Sequence, residues 1–168
     1  RKYDSFVVAS TKVSGPMRAS MSDGFRSVAG YIFGKNKAKQ GGDSQKISMT
    51  APVRYERGSG GRGEVSFVMP SAYKKATLPR PVSDQVKIKE VPVQTFAVLR
   101  FSGPSPTDEQ LRERTKQLEG ILKEQGYESA GAVQLHQYHP PFAPSWLRRN
   151  EVLLPIRKEG FRIPLIWE

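Results

Sequence analysis

GFRSVAGYIFGKNKAKQGGDSQKISMTAPV, residues 24–53, decides the fold because a helix pattern passes directly into a strand pattern. Apolar side chains recur here and just upstream in steps of three or four: Met17, Met21, Phe25, Val28 and Ile32. This spacing predicts one buried face of an α-helix, which Ala29 and Phe33 widen. Gly34 ends the helix, because glycine adopts the left-handed conformation at little cost. KISMTAPV then alternates with a period of two and predicts a strand, with these residues on one side: Ile47, Met49, Ala51 and Val53.

Two glycines, Gly24 and Gly30, lie inside the predicted helix. Each costs about 1 kcal/mol relative to alanine, so each indicates a local need. One interpretation is close packing of the helix on a strand, which is the commoner cause. The other is the close approach of a flat or bulky ligand, for which this helix face is the expected place.

The composition is that of one domain of 168 residues, long enough to bury an apolar core. The chain has no cysteine, which excludes disulfides, thiolate metal sites and cysteine nucleophiles. No apolar run reaches the length of a membrane span.

The charge is strongly basic, with 27 Lys and Arg against 16 Asp and Glu, a net +11. The excess is concentrated in a loop after the first helix, and such a loop favours anions. We expect an acidic protein or an anionic membrane surface to bind through its lysines: Lys35, Lys37, Lys39 and Lys46. Nucleic acid is not the expected partner, because no stacking aromatics alternate with the lysines and no nucleic-acid motif is present.

The rest of the chain adds strands and one more helix. SFVVASTKV, TAPVRYERG, EVSFVMP, VKIKEVPV, TFAVLRFSG, AVQLHQY and NEVLLPI are predicted strands. The glycines of GSGGRG, residues 58–63, match a dinucleotide fingerprint only by accident, since a strand and not a helix follows them. Thr107 and Gln110 predict a capping box for the second helix, which Gly126 ends.

An internal repeat relates the two halves of the chain. Three matching pairs lie at nearly equal offsets: Phe6 and Phe96, Gly34 and Gly126, Pro52 and Pro140. Each half reads as a βαββ unit. The predicted fold is therefore α+β: a curved, barrel-like antiparallel sheet of about eight strands with two helices packed on it.

No arrangement of residues predicts catalysis or a metal site. The two histidines, His136 and His139, are expected at the solvent-facing end of a strand, where a spacing of three directs them to opposite faces. The sequence contains no G-x-S-x-G, H-E-x-x-H or P-loop motif and no carboxylate pair that can be placed in one cleft. We expect a protein that is not an enzyme.

Six blocks in this order, GFRSVAGYIFGKN, KISMTAPV, SFVMPSAY, FSG, QYHPPF and RRNEVLLPI, resemble the SOUL heme-binding-protein family. The resemblance covers residues 1–156 as a single domain and leaves residues 157–168 as an apolar C-terminal extension. It also implies that a few strand residues precede Arg1. SFVMPSAY, LPRP and VKIKEVPV are most similar to plant and algal members, which implies a plastid location, with the cytoplasm as the alternative.

The resemblance implies a non-enzymatic protein that binds or carries heme or another tetrapyrrole in an apolar groove beside the first helix. Carried over by position, the groove comprises Ser22, Phe25, Ala29, Gly30, Phe142 and Ala143. Lys2 stands at the position where one animal branch of the family has a histidine that is proposed as the axial ligand of the heme iron. The tetrapyrrole is therefore expected to bind to this chain without histidine ligation. The lysine loop would neutralise its propionates.

The block RRNE, residues 148–151, has two interpretations. Arg148 or Arg149 meets an acidic ligand or partner, or Asn150 and Glu151 fix the start of the last strand by hydrogen bonding while the arginines are solvated. We favour the second interpretation.

The C-terminal tail, residues 159–168, is too apolar to remain in water. Either it covers a sheet edge of its own domain, or Phe161, Leu165 and Trp167 dock onto another protein. The alternative function is therefore a scaffold or interaction subunit of a larger assembly, such as a thylakoid or photosynthetic complex, that does not bind heme.

Overall fold

The computed structural model describes residues 1–160, in which two helices and eleven strands form one α+β unit. Helix α1 spans Met17–Ile32 and helix α2 spans Asp108–Glu124. The strands are β1 Lys2–Tyr3, β2 Phe6–Ser14, β3 Asn36–Lys37, β4 Val53–Arg57, β5 Arg62–Val68, β6 Arg80–Pro81, β7 Val86–Val91, β8 Gln94–Ser102, β9 Tyr127–Ser129, β10 Gln134–Gln137 and β11 Arg149–Lys158. A single 3-10 turn covers Ser145–Leu147.

Eight strands form the main sheet in the order β1-β8-β11-β10-β4-β5-β2-β7, and β9 pairs with the end of β11. Every pairing is antiparallel, and the sheet curls strongly into a half-barrel. The short strands β3 and β6 pair separately. The predicted fold class is confirmed.

The two halves of the chain have matching topology. β2-α1-β4-β5 and β8-α2-β10-β11 are βαββ units in which the third strand lies between the other two. They meet where β4 pairs with β10, with Tyr55 opposite Leu135. The strand that precedes each unit pairs with the other unit. β1, before the first unit, pairs with β8 of the second, and β7, before the second unit, pairs with β2 of the first. This is the pseudo-repeat that the offsets in sequence predicted.

Both helices share one apolar core with the sheet. Its most buried members include Met17, Val28, Ile32, Tyr55, Leu111, Leu135, Val152 and Leu154. The predicted stripe of α1 is buried except at Phe25, which is 38% exposed. Phe33 was predicted to be buried, and this is wrong: it is 61% exposed, because it is the cap residue where the chain turns away from the sheet. Within residues 1–160, neither helix is long and apolar enough to cross a bilayer.

The segment predicted as a strand from Ile47 onward is instead an irregular connection, and β4 begins only at Val53. Ile47 is buried and its N–H donates to the carbonyl of Ile32, not to a strand. Thr50 donates through its hydroxyl to the Val68 carbonyl. Pro52 has no N–H to contribute to a ladder, so regular pairing starts after it. The alternation therefore includes residues that pair with no strand, of which Ile47 contacts the end of α1.

The starts of the two helices are tied together at Asp108. Its carboxylate accepts from the N–H of Met17 at 3.1 Å and pairs with Arg57. The predicted capping box is present, with the Thr107 hydroxyl accepting from the Gln110 N–H and the Gln110 side chain from the Thr107 N–H. An acidic residue in the first turn also complements the helix dipole. This contact joins the N-terminal ends of the two helices.

Candidate functional site

The predicted site residues of α1 lie on one helix face, since Ser22, Phe25 and Ala29 are three and four positions apart. Ser22 is exposed and accepts from Arg26. The Phe25 ring lies 5.2 Å, centroid to centroid, from the buried ring of Phe67. Ala29 is only 8% exposed, so its methyl belongs to the core. This face therefore offers one half-exposed aromatic ring over a closed floor.

The two helix glycines have different surroundings. A Cβ on Gly24 would lie 2.6 Å from Cγ2 of Val65, closer than side chains approach. Gly24 therefore lets α1 pack on β5, and the packing interpretation accounts for it. A Cβ on Gly30 would lie 3.2 Å from Cδ of Lys35, so a lysine stem covers this position.

The other predicted site residues lie in the loop between β10 and β11. Phe142 is 89% exposed, and Ala143 is half-buried, its carbonyl accepting from Arg148 at 2.8 Å. Among residues 1–160, no hydrogen bond or ring contact joins Phe142 or Ala143 to α1. The six-residue groove remains a prediction.

A buried charged network lies at the start of β11 around Glu151, which is fully buried. Its carboxylate accepts from Arg149 at 2.8 Å, from Arg1 at 2.8 Å and from the Tyr138 hydroxyl at 2.9 Å. Burial alone would raise the pKa of Glu151, but these hydrogen bonds outweigh it and hold the pKa below its usual value. Asn150 donates to the Gly103 carbonyl at 2.9 Å.

This network confirms the structural interpretation for Asn150 and Glu151. The expectation that the arginines are solvated is wrong for Arg149, whose guanidinium pairs with Glu151 and lies 4.2 Å from the centre of the Tyr138 ring. Tyr138 directly follows β10, so only the pairing of β10 with β11 brings its hydroxyl to Glu151.

The histidines differ from each other and from the prediction. His139 is exposed, and its Nδ1 accepts from the Arg149 N–H at 3.0 Å. His136 was predicted to face solvent, which is wrong: it is 5% exposed, because β10 is a central strand and Arg54 and Gln134 cover the ring. Burial, with the nearby Arg54 charge, lowers the pKa of His136 to about 3.

Two cavities in the described part of the chain bear on the candidate site. The smaller, about 240 Å³, lies on the sheet face opposite the helices and is lined by charges of both signs, among them Arg54, Glu56, Glu64 and Lys89. Two of these, Lys89 and Glu64, form an ion pair. None of the six predicted site residues lines this cavity.

The larger cavity, about 680 Å³, is an open groove between the lysine loop, the 75–81 segment and β7. We call it the basic groove, and its lining comprises Lys39, Lys75, Ala76, Leu78, Pro79, Arg80, Pro81, Ser83, Asp84, Val86, Lys87 and Ile88. Sequence reasoning identified only Lys39 of these. The others come from a turn-rich segment and a strand whose lysines, read alone, resemble any solvated surface.

No catalytic or metal-binding arrangement is found in residues 1–160. No group of three or more His, Cys, Asp or Glu side chains is placed to hold a metal ion. The buried ionisable groups Glu151 and Arg54 are engaged by hydrogen bonds to neighbouring side chains.

The fold is shared with several solved structures. The C-terminal domain of EcmrR matches with a TM-score of 0.71 and 12% identity, covering 94% of this chain and 95% of that one. EcmrR in a complex with DNA matches with a TM-score of 0.69 and 13% identity, covering 94% of this chain and 56% of that one. A hydrolase from Listeria innocua matches with a TM-score of 0.58 and 8% identity, covering 94% of this chain and 91% of that one. Such identities show the fold alone.

Sequence comparison is more specific. Among curated proteins, none matches the chain. The family described as SOUL heme-binding protein matches residues 1–155, nearly all of the part that the structure describes. With the two βαββ halves and the helix α1 in place, the chain belongs to the SOUL heme-binding protein family.

Proposed function

We propose that this protein binds or carries a tetrapyrrole and does no chemistry on it. The observation that carries the proposal is the family match over residues 1–155. The candidate contact is the α1 face around Ser22, Phe25 and Ala29, with Gly30 beside it, and the proposal adds Phe142 and Ala143 from the loop between β10 and β11. The bound tetrapyrrole is cargo, and the chain supplies burial and charge neutralisation.

The apolar part of the fit rests on Phe25. Its ring is 38% exposed and is held against Phe67, so a flat macrocycle meets a fixed apolar surface. Burying on the order of 300 Å² of apolar macrocycle surface at roughly 25 cal/mol per Å² gains about 7 kcal/mol before the costs of binding. Micromolar affinity therefore needs no bond to iron.

The histidines do not fit iron ligation. His136 is buried, and its Nε2 lies 3.0 Å from the Gln134 side-chain oxygen. The Nδ1 atom of His139 accepts from the Arg149 N–H, which places the proton of the neutral ring on Nε2, the other nitrogen that could ligate iron. The chain has no cysteine. The residues present suit the porphyrin body and its carboxylates, and we propose binding without histidine ligation.

The experiment is a titration of the apoprotein with heme, followed by absorbance in the Soret region. We expect saturation at one equivalent with a dissociation constant in the micromolar range. Protein purified from its native source should show the same band. A signal that rises linearly without saturation would reduce the proposal to adsorption.

A second candidate is an interaction subunit that does not bind heme. It is favoured by the apolar residues Phe161, Leu165 and Trp167, which lie outside the described residues, and by the lysine loop. Deleting residues 161–168 separates the cases: loss of a partner at unchanged stability supports docking, and a lower melting temperature means that the tail packs on its own domain.

We also propose that the protein is of the plant or algal type and acts in a plastid. The support is the sequence resemblance of SFVMPSAY, LPRP and VKIKEVPV. Imaging a fluorescent fusion of the full gene product tests this, since a cytoplasmic signal would contradict it.

A further inference from the structure

We propose that the basic groove binds an amphipathic carboxylate, with the apolar body of the ligand over the groove floor and its carboxylates at the lysine rim. The inference goes beyond the α1 face, because the groove lies on a different side of that helix. The Tyr31 hydroxyl donates to the Pro79 carbonyl beneath the groove at 2.7 Å, whereas Phe25 packs on Phe67 of β5.

The rim is built on an ordered loop. Asn36, 3% exposed, donates to the carbonyls of Tyr31 at 2.7 Å and Gln45 at 2.8 Å and accepts from the Gln45 N–H at 2.9 Å. One side chain therefore closes the lysine loop onto the end of α1. The pairing of β3 with β6, Lys37 opposite Arg80, fixes the loop beside the groove floor.

Lys39 is a positioned cation. Its ammonium donates to the carbonyls of Lys75 at 3.1 Å and Ala76 at 2.7 Å, bridging the loop to the opposite wall. An ammonium has three donors, so one remains for a ligand. A cation held in place loses little conformational entropy on binding.

The charges of the groove are unbalanced. Lys39, Lys75, Arg80 and Lys87 line it against the single carboxylate of Asp84. Among residues 1–160, none of these four cations takes part in an ion pair. Cations crowded around one cavity repel each other, and an anion bound between them relieves that repulsion.

The floor selects the kind of anion. Leu78 and Val86 are buried beneath the groove, while Pro81 and Ile88 are half-buried and present apolar surface to it. A volume of about 680 Å³ lies within the range of small-molecule sites. An apolar floor under a cationic rim matches a ligand with both an apolar body and carboxylates, such as a porphyrin dicarboxylate or a fatty acid.

The test compares two fluorescent probes, protoporphyrin IX and cis-parinaric acid, on the full chain and two variants of equal charge. The groove variant is Lys75→Glu with Lys87→Glu. The control is Lys116→Glu with Lys123→Glu, two exposed lysines of α2 that are far from the groove in sequence. Circular dichroism verifies that each variant is folded. Protoporphyrin dimethyl ester, which lacks free carboxylates, is a third ligand.

We expect the groove variant to bind at least one acid probe about tenfold more weakly, while the control stays within about twofold. Protoporphyrin dimethyl ester should bind weakly to the wild type. Its affinity should be about that of protoporphyrin IX for the groove variant. Raising the salt to about 0.5 M should weaken the wild type and leave the groove variant unchanged, because exposed charges are screened within ~8 Å already at physiological ionic strength.

The outcomes separate this inference from the tetrapyrrole proposal. Parinaric acid bound at the groove without any porphyrin binding supports the inference and contradicts the proposed function. Equal binding of both acids by the wild type and the groove variant overturns the inference, and porphyrin bound in this way leaves the proposed function standing. Failure of the wild type to bind either acid overturns it too.

Discussion

His136 on β10 lies directly opposite Arg54 on β4, and each carries a buried nitrogen without a hydrogen-bond partner, Nδ1 and Nε respectively. Both side chains meet at the Gln134 side-chain oxygen, which accepts from Arg54 at 3.1 Å and lies 3.0 Å from His136 Nε2. An oxygen shared in this way assigns the imidazole proton to Nε2. The pair therefore favours a neutral histidine beside a buried cation.

Acid should destabilise the protein through His136. Its pKa falls from 6.5 when exposed to about 3 in the fold. Between these two values the unfolded chain binds a proton at His136 and the folded chain does not. Stability is therefore lost as pH falls below the unfolded value, by up to about 2 kcal/mol between about pH 7.5 and pH 5. Urea unfolding at both pH values measures it. The neighbouring charges that act on the ring are Arg54, Glu151 and Arg1.

His136→Gln should remove most of this pH dependence. His139→Gln is the matched control and should leave the dependence as it is, because His139 is exposed. Equal slopes in wild type and the His136 variant would show that the ring is free to take up a proton in the fold.

Glu151 should add a second acid-sensitive step at lower pH. Its folded pKa is held below 4.5 by Arg149, Arg1 and Tyr138 against the effect of burial, so its contribution is present above the unfolded pKa and lost as pH falls through the folded one. Glu151→Gln should cost about 1–2 kcal/mol at neutral pH, since charge-assisted hydrogen bonds are lost while the arginines, Arg1 46% and Arg149 32% exposed, regain water. Chemical unfolding of this variant at about pH 7 and pH 4 checks both statements; a loss under ~1 kcal/mol would contradict them.

Gly24→Ala should destabilise the protein by about 1–3 kcal/mol, although alanine is the better helix former, because the new methyl would overlap Val65. Gly120→Ala on α2 is the control, with open space around its Cβ position, and should be neutral or stabilise by about 1 kcal/mol. Thermal unfolding of both variants decides it. Equal effects at both positions would mean that the α1–β5 contact is looser than the geometry indicates.

Sequence patterns predicted best those structural features that are determined by residues close together in the chain. The capping box at Thr107 and the end of α1 at Gly34 depend on residues within one turn, and both are present, Gly34 with φ +126°. The pseudo-repeat was also readable, because its matching positions survive in both halves.

Predictions failed for structural features that depend on residues far apart in the chain. His136 is buried by Arg54, 82 positions away, and periodicity does not report such a neighbour. Alternation from Ile47 to Ala51 looked like a strand, but pairing depends on a partner strand, which exists only from Val53 onward. The basic groove joins residues from Lys39 to Ile88 that only the β3–β6 and β2–β7 pairings bring together.

The α1 face can be tested by a charge at Phe25. Phe25→Asp should weaken binding of protoporphyrin IX about tenfold, since the macrocycle would lose its apolar contact and meet a carboxylate. Phe33→Asp, at the C-cap of the same helix, serves as the control, because Phe33 is 61% exposed and outside the predicted groove. Fluorescence titration measures both. Equal affinities would remove the α1 face from the account, whereas a loss only in the Phe25 variant would support it.

The measurement closest to the central claim compares heme with metal-free protoporphyrin IX on the wild-type chain, by titration under identical conditions. Binding by apolar burial and carboxylate neutralisation without an iron ligand predicts dissociation constants within about threefold of each other. It also predicts that the double variant His136→Gln, His139→Gln binds heme as the wild type does. Heme bound about a hundredfold more tightly than the free porphyrin, with the preference lost in the double variant, would contradict it.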